Sequence, residues 1–173
     1  MINRLARLIE AMIDYDSGDP RRIHHFLKVH DFAAAIASLE GLDTDTAYIL
    51  EAAAIVHDIG IHNSERKYGD SGGKHQEIEG PPEAEKMLKE VGGFTDFQTN
   101  RVCWLVGHHH TYSPVLGIDH QILLEADFLV NVYEDGMSPE AACRFRDNVF
   151  KTKTGIRLLE AMLGLTATDC QAD

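Results

Sequence analysis

Residues 52–60 read Ala52-Ala53-Ala54-Ile55-Val56-His57-Asp58-Ile59-Gly60. Small and branched apolar side chains run straight into an imidazole and a carboxylate, and a glycine follows. Apolar neighbours on every side predict a buried helix end. A buried carboxylate costs several kcal/mol, of order 3 or more, unless it is paired or bound to a cation. His57 and Asp58 therefore call for a positively charged partner. Gly60 fits the stop of the helix.

The surrounding chain reads as helix throughout. Thr44 and Asp45 cap the helix that ends at Asp58, and from Ala47 onward it is apolar on nearly all sides, so it should be central. Upstream, Ile2, Leu5, Leu8, Ile9, Met12 and Ile13 recur at helical spacing. Asp19 and Pro20 open a second helix that stops before Gly41. Its stripe of Val29, Phe32 and Ile36 extends back to His25, while His24 shares a solvent face with Lys28 and Asp31. His30 lies among Phe26, Ala33 and Ala37, so His25 and His30 are both candidates to face inward.

Residues 61–80 are polar and glycine-rich, and read as a connection of unusual length, of the kind that is functional or disordered. Pro81 and Pro82 open a further helix on Ala84, Met87, Leu88 and Val91. Asp96 caps the next, which ends in His108-His109-His110. Asp119 caps another, built on Ile122, Leu123, Ala126, Leu129 and Val130. Ser138-Pro139-Glu140 and the Ile156–Leu163 segment start and form the last two. No strand-like alternation, repeat or linker interrupts this pattern. The expected architecture is all-α, a single compact bundle of about seven or eight helices over residues 1–165, with a polar tail over 166–173.

Composition narrows the function. Of 173 residues, 44% are hydrophobic and 25% charged, as in an ordinary globular domain. Sixteen Lys and Arg against 28 Asp and Glu give a net charge of −12. That argues against binding a nucleic-acid duplex, which needs a basic face. Cys103, Cys143 and Cys170 form no CxxC pair, so neither a thiolate zinc site nor a disulfide framework is expected, and reduced thiols in a cytoplasmic protein are the plain reading. No apolar run approaches the ~20 residues of a membrane span.

Asp127 is the second anomaly, flanked by Leu123, Leu124 and Val130 at helical spacing. It reads as a buried ligand, whereas Glu125 and Asn131 fit a solvent face better. His25, His57, Asp58 and Asp127, from three helices, would suit a borderline or hard divalent ion. Two carboxylates balance its charge, and water in an open position would have its pKa lowered toward ~7.

This set resembles the HD superfamily of metal-dependent phosphohydrolases. The resemblance rests on His25-Phe26-Leu27-Lys28-Val29 with Ala33, on Ala54-Ile55-Val56-His57-Asp58-Ile59-Gly60, and on Glu125-Ala126-Asp127. In that pattern a Val lies four and an Ala eight residues beyond the first His, which selects His25. The resemblance implies a helical HD-type fold and hydrolysis of a phosphate ester or anhydride, nucleotides included. It implies one or two divalent ions from among Mn, Fe, Ni, Co, Zn and Mg, and a small anionic phosphate-containing substrate. Members with two ions use further histidines, for which His75, His108 and His109 are the candidates here. His110 has no argument, and His62 and His120 read as surface residues. Asp58 would be both ligand and orienting group for water, with Glu79 or Glu77 as alternative acids. Lys67 or Lys74, beside Arg66, would neutralise a phosphoryl group. A di-iron oxygenase and a non-catalytic metal-stabilised sensing or interaction module are the competing readings.

Overall fold

A computed structural model describes residues 4–166 and residue 170. Nine α-helices make up the described residues: α1 (Arg4–Tyr15), α2 (Pro20–Leu39), α3 (Thr44–Val56), α4 (Ile61–Tyr68), α5 (Gly73–Val91), α6 (Asp96–Val106), α7 (Ile118–Glu134), α8 (Pro139–Val149) and α9 (Lys153–Leu163). No strand occurs among the described residues. Helices α2, α3, α6, α8 and α9 start where short polar side chains satisfy the first free N–H groups, whereas α4, α5 and α7 start at glycines. Asp19 accepts from the Arg22 N–H, Asp43 from those of Asp45 and Thr46, and Ser138 from that of Ala141. Thr95 and Gln98 form a reciprocal capping box at α6.

Two helices are central. In α3 every residue from Ala52 to Val56 is buried, and in α7 every residue from Asp119 to Val130 is. Helix α2 packs against both, with α1 and α6 against α3, α5 against α1, α4 and α6, and α8 and α9 beside α7. The apolar positions read from the sequence (Leu8, Met12, Val29, Ile36, Leu88, Val102, Ile122, Leu129) are all in the one core.

The expected long connection after Gly60 is not a loop. Residues 61–80 hold α4 and the first two turns of α5, which accounts for the ninth helix. Both segments are polar because only a narrow strip of each is buried, namely Asn63, Ser64, Gln76, Glu79 and Gly80. Pro81 and Pro82 do not open a helix but lie inside α5. Each removes one i→i−4 hydrogen bond there, a local cost the flanking turns must absorb. Gly60 does not stop α3, which ends at Val56. It lies in the turn before α4, where a Cβ would stand 2.7 Å from both the Gln76 carbonyl oxygen and the Gly80 nitrogen. Only a residue without a side chain lets the His57-Asp58 turn press this closely on α5.

Glu125, expected on a solvent face, is fully buried. Its carboxylate accepts from the backbone N–H groups of Lys151 and Thr152, from the Thr152 hydroxyl and from Gln121 Nε2, tying α7 to the start of α9. His120 is also buried, with Nε2 on the His108 carbonyl oxygen. The expectation of reduced thiols is corrected at two positions: Cys143 and Cys170 form a disulfide across 27 residues, with Cα atoms 5.3 Å apart. Only Cys103 is free. Such a distant pair has no spacing signature, because helix packing brings its ends together. Ile2 and, apart from Thr166 and Cys170, the expected tail over 166–173 lie outside the described residues. No described helix is long and apolar enough to cross a membrane.

Candidate metal centre

Three helices converge on one point. His25 comes from the second turn of α2, His57 and Asp58 from the turn that closes α3, and Asp127 from the middle of α7. His25 Nε2 lies 3.1 Å from Asp127 Oδ1, 3.3 Å from His57 Nε2 and 3.5 Å from Asp58 Oδ2. His57 Nε2 lies 3.5 Å from the same Asp58 oxygen and 3.6 Å from Asp127 Oδ1. His30, the other inward candidate, turns instead to Glu51 at 3.0 Å.

The far side of each ring is committed elsewhere. His57 Nδ1–H donates to the Ala54 carbonyl oxygen at 2.8 Å, and His25 Nδ1–H to Glu134 Oε2 at 2.9 Å. A carbonyl oxygen can only accept, so Nδ1 of His57 carries a proton, and Nε2 is the nitrogen left to offer a lone pair to an ion at the shared centre. Second partners of this kind hold metal-binding imidazoles in the required tautomer. Asp127 is steadied by Asn131 Nδ2, which donates to Oδ1 at 2.8 Å from one turn further along α7.

The electrostatics of these four groups show a centre short of positive charge. Burial works against a charged His57, yet Asp58 and Asp127 beside it outweigh that and push its pKa up to about 9. Burial opposes charge on His25 too, but its hydrogen bond to Asp127 leaves the pKa raised. For the aspartates burial favours the neutral acid. His57 beside Asp58, and the hydrogen bond from His25 to Asp127, reverse this and hold both carboxyls below their usual range. Protons on imidazole thus occupy the role a divalent ion would fill. The donor set of two imidazole nitrogens and two carboxylates fits such an ion in kind and in charge.

His109 belongs to the same neighbourhood. It is fully buried, its Nδ1–H donates to the Val106 carbonyl oxygen at 2.7 Å, and its Nε2 stands 3.4 Å from Asp58 Oδ1. Asp58 thus turns one oxygen toward His25 and His57 and the other toward His109. His110, for which the sequence offered no argument, joins it: ligand atoms of Asp58, His109 and His110 all lie within 4.8 Å of one another. Burial and the neighbouring His109 push the His110 pKa down to about 4 and keep it neutral.

The remaining candidates lie elsewhere. His108 stacks on Trp104 with ring centres 4.0 Å apart, and its Nδ1 bonds the Trp104 carbonyl oxygen. His75 stacks on Tyr68 and pairs with Asp70 at 2.8 Å. Lys67 is paired with Glu79, which also accepts from the Tyr68 hydroxyl. Lys74 is exposed, and Glu77 accepts from the His110 N–H and the Thr111 hydroxyl. His62 is half-exposed and lies between Asp16 and Arg22.

A cleft of about 480 Å³ opens onto the cluster, lined by His25, Asp58, Asp127, His110 and Gln76 on its inner side and by Arg21 and Arg22 on another. Arg22 is held by Glu65 at 2.6 Å, while the Arg21 side chain has no partner among the described residues. These arginines and Glu134 were missed by sequence reasoning. The one available signal was the continuation of helix α2 one turn upstream of His25.

An all-helical domain with imidazoles and carboxylates gathered from three helices at a cleft is the class of protein this geometry defines. The chain belongs to the HD domain family, whose model matches residues 22–144. No curated protein and no solved structure matches it. The family is one of metal-dependent phosphohydrolases, and His25, His57 and Asp58 have the ligand atoms, within 4.8 Å of one another, to hold an ion.

Proposed function

We propose that the protein hydrolyses a small phosphate ester or anhydride, with a divalent ion held by His25, His57, Asp58 and Asp127. The observation that carries this reading is the meeting of four ligand atoms from α2, the α3 turn and α7 at the floor of an open cleft. A divalent ion there supplies Lewis-acid polarisation of a phosphoryl oxygen and acidifies water at neutral pH.

The chain's own residues do the rest. Ala54 and Glu134 hold His57 and His25 with Nε2 facing the shared centre. Asp58, partly open to the cleft, accepts a hydrogen bond from the attacking water and orients it toward phosphorus. Arg21 binds the outer phosphoryl oxygens, since it is the cleft-lining cation left without a partner among the described residues. Lys67 and Lys74, the cations expected from the sequence, do not line the cleft.

The test is hydrolysis of phosphomonoesters, phosphodiesters and nucleotides with added manganese, cobalt, nickel or iron. Turnover by the wild type that His57→Ala and Asp58→Ala both lose supports the reading. Turnover that survives either substitution, or its absence with every substrate and metal, overturns it.

A further inference from the structure

Outside the four groups that would hold the ion, the cleft is lined by the carboxylates of Asp19, Glu65, Glu134 and Asp135 and by the guanidinium groups of Arg21 and Arg22. Most of these charges cancel in place. Arg22 Nη2 donates to Glu65 Oε1 at 2.6 Å, its Nη1 donates to His62 Nδ1 at 3.1 Å, and its Nε lies 3.5 Å from Asp19 Oδ2. Glu134 is shared between Lys28 and His25. Two charged side chains on the cleft have no partner among the described residues, those of Arg21 and Asp135. Each stands at a helix end of its own sign. Arg21 lies in the first turn of α2, at the positive end of the helix dipole. Asp135 is the residue that closes α7, at the negative end, and no basic residue occupies the last turn of that helix. An anion beside Arg21 and a cation beside Asp135 would relieve both.

We infer that the substrate is zwitterionic, a phosphate monoester whose alcohol carries an ammonium group. Its phosphate lies at the ion and Arg21, and its ammonium at Asp135. This assignment names a substrate class and rests on the proposed hydrolysis at the cleft. Water would add across the ester P–O bond, releasing inorganic phosphate and the free amino alcohol. A nucleoside triphosphate matches the cleft less well. Asp58 and Asp127 together balance one dication, and the four remaining carboxylates outnumber Arg21, Arg22 and the Lys28 that pairs with Glu134. A cleft with that excess repels further anionic groups.

The experiment compares two isosteric pairs on the manganese-loaded full chain. 2-Aminoethyl phosphate and propyl phosphate differ only in an ammonium for a methyl group. 2-Aminoethylphosphonate and propylphosphonate differ in the same way and have no ester bond to cleave. Calorimetry with the phosphonates reads binding alone, and phosphate release from the esters reads turnover. The amino member of each pair is expected to be favoured about fivefold, the effect of one good exposed ion pair. Added salt should shrink that preference. Asp135→Asn should bring the ratio close to one and Asp135→Lys should invert it, whereas Arg21→Ala should weaken both members of a pair alike. Equal affinity of the wild type for the two phosphonates, or a preference that survives in Asp135→Asn, overturns the proposal. Faster phosphate release from adenosine triphosphate than from 2-aminoethyl phosphate overturns it too. A preference that depends on Asp135, without hydrolysis of any ester, would overturn the hydrolase reading and leave the ammonium site standing. Hydrolysis of propyl phosphate as fast as of 2-aminoethyl phosphate would overturn only the substrate class.

Discussion

His25 and Glu134 meet at 2.9 Å on the edge of the imidazole turned away from Asp127. Glu134 closes the last turn of α7, seven residues beyond Asp127, so one helix grips both edges of the same ring. Lys28, one turn along α2, pairs with the other Glu134 oxygen and holds the carboxylate in place. Removing such a supporting partner typically costs ~10–100-fold in metal affinity. Glu134→Ala should therefore weaken binding of the ion by about that factor, and Glu134→Gln, which keeps an acceptor, by less. Calorimetric titration with manganese checks both, and equal affinities in all three proteins would remove Glu134 from the centre.

Binding an ion to the folded chain alone stabilises it by about 4 kcal/mol at a thousandfold excess over Kd. Chelator should lower the Tm of the wild type and leave that of Asp127→Asn nearly unchanged, because the variant has already lost a ligand and half the balancing charge. Scanning calorimetry of both proteins, with and without chelator, decides the matter.

Without metal, stability should fall as pH rises from about 6.5 to about 9. His57 has a pKa raised to about 9, above its ordinary 6.5. A group raised on folding stabilises the folded chain fully below the unfolded value, and that contribution disappears as pH climbs through the folded value. Metal binding runs the other way, strengthening over the same interval as protons leave the imidazoles. Chemical denaturation at pH 6, 7.5 and 9 should show the metal-free protein weakening and the gap to the metal-bound protein widening.

Gly60→Ala should destabilise the fold by about 1–3 kcal/mol, since the new Cβ meets backbone atoms of α5 rather than a movable side chain. At this chain length that is a fall of roughly 3–10 °C in Tm. Because the clash pushes on the turn carrying His57 and Asp58, metal affinity should drop with it. An unchanged melting curve would show that α4 and α5 move apart freely.

Glu125→Ala would take the acceptor from the backbone N–H groups of Lys151 and Thr152, the second of which is buried. Each buried donor left unmatched costs about 1–3 kcal/mol. Hydrogen exchange at these two amides should rise sharply, ahead of exchange in α3. Uniform acceleration across both regions would instead mean that the α7–α9 junction opens only with the whole chain.

Much of this was legible from residues alone, for a definable reason. Periodicity reports which face of a helix is buried, and an ionisable residue on a buried face is conspicuous: that is how His57, Asp58 and Asp127 stand out, whereas His25 was separated from His30 only by the spacing of the resemblance. The same rule misjudged Glu125 and His120, because α7 is buried almost all round and leaves no solvent face for them. It also left residues 61–80 as a loop, since α4 and the start of α5 bury too narrow a strip to leave a stripe.

The sequence by itself determined an all-helical chain, its main core stripes and His57, Asp58 and Asp127 as ionisable residues on buried faces, because burial leaves its mark within a single helix. Only the tertiary structure decided that Glu134 backs His25, that His109 and His110 rather than His108 adjoin Asp58, and that Arg21 rather than Lys67 faces the cleft. Those relationships depend on how helices distant in the chain cross and on which turn a ring or guanidinium leaves from. No local spacing carries that information.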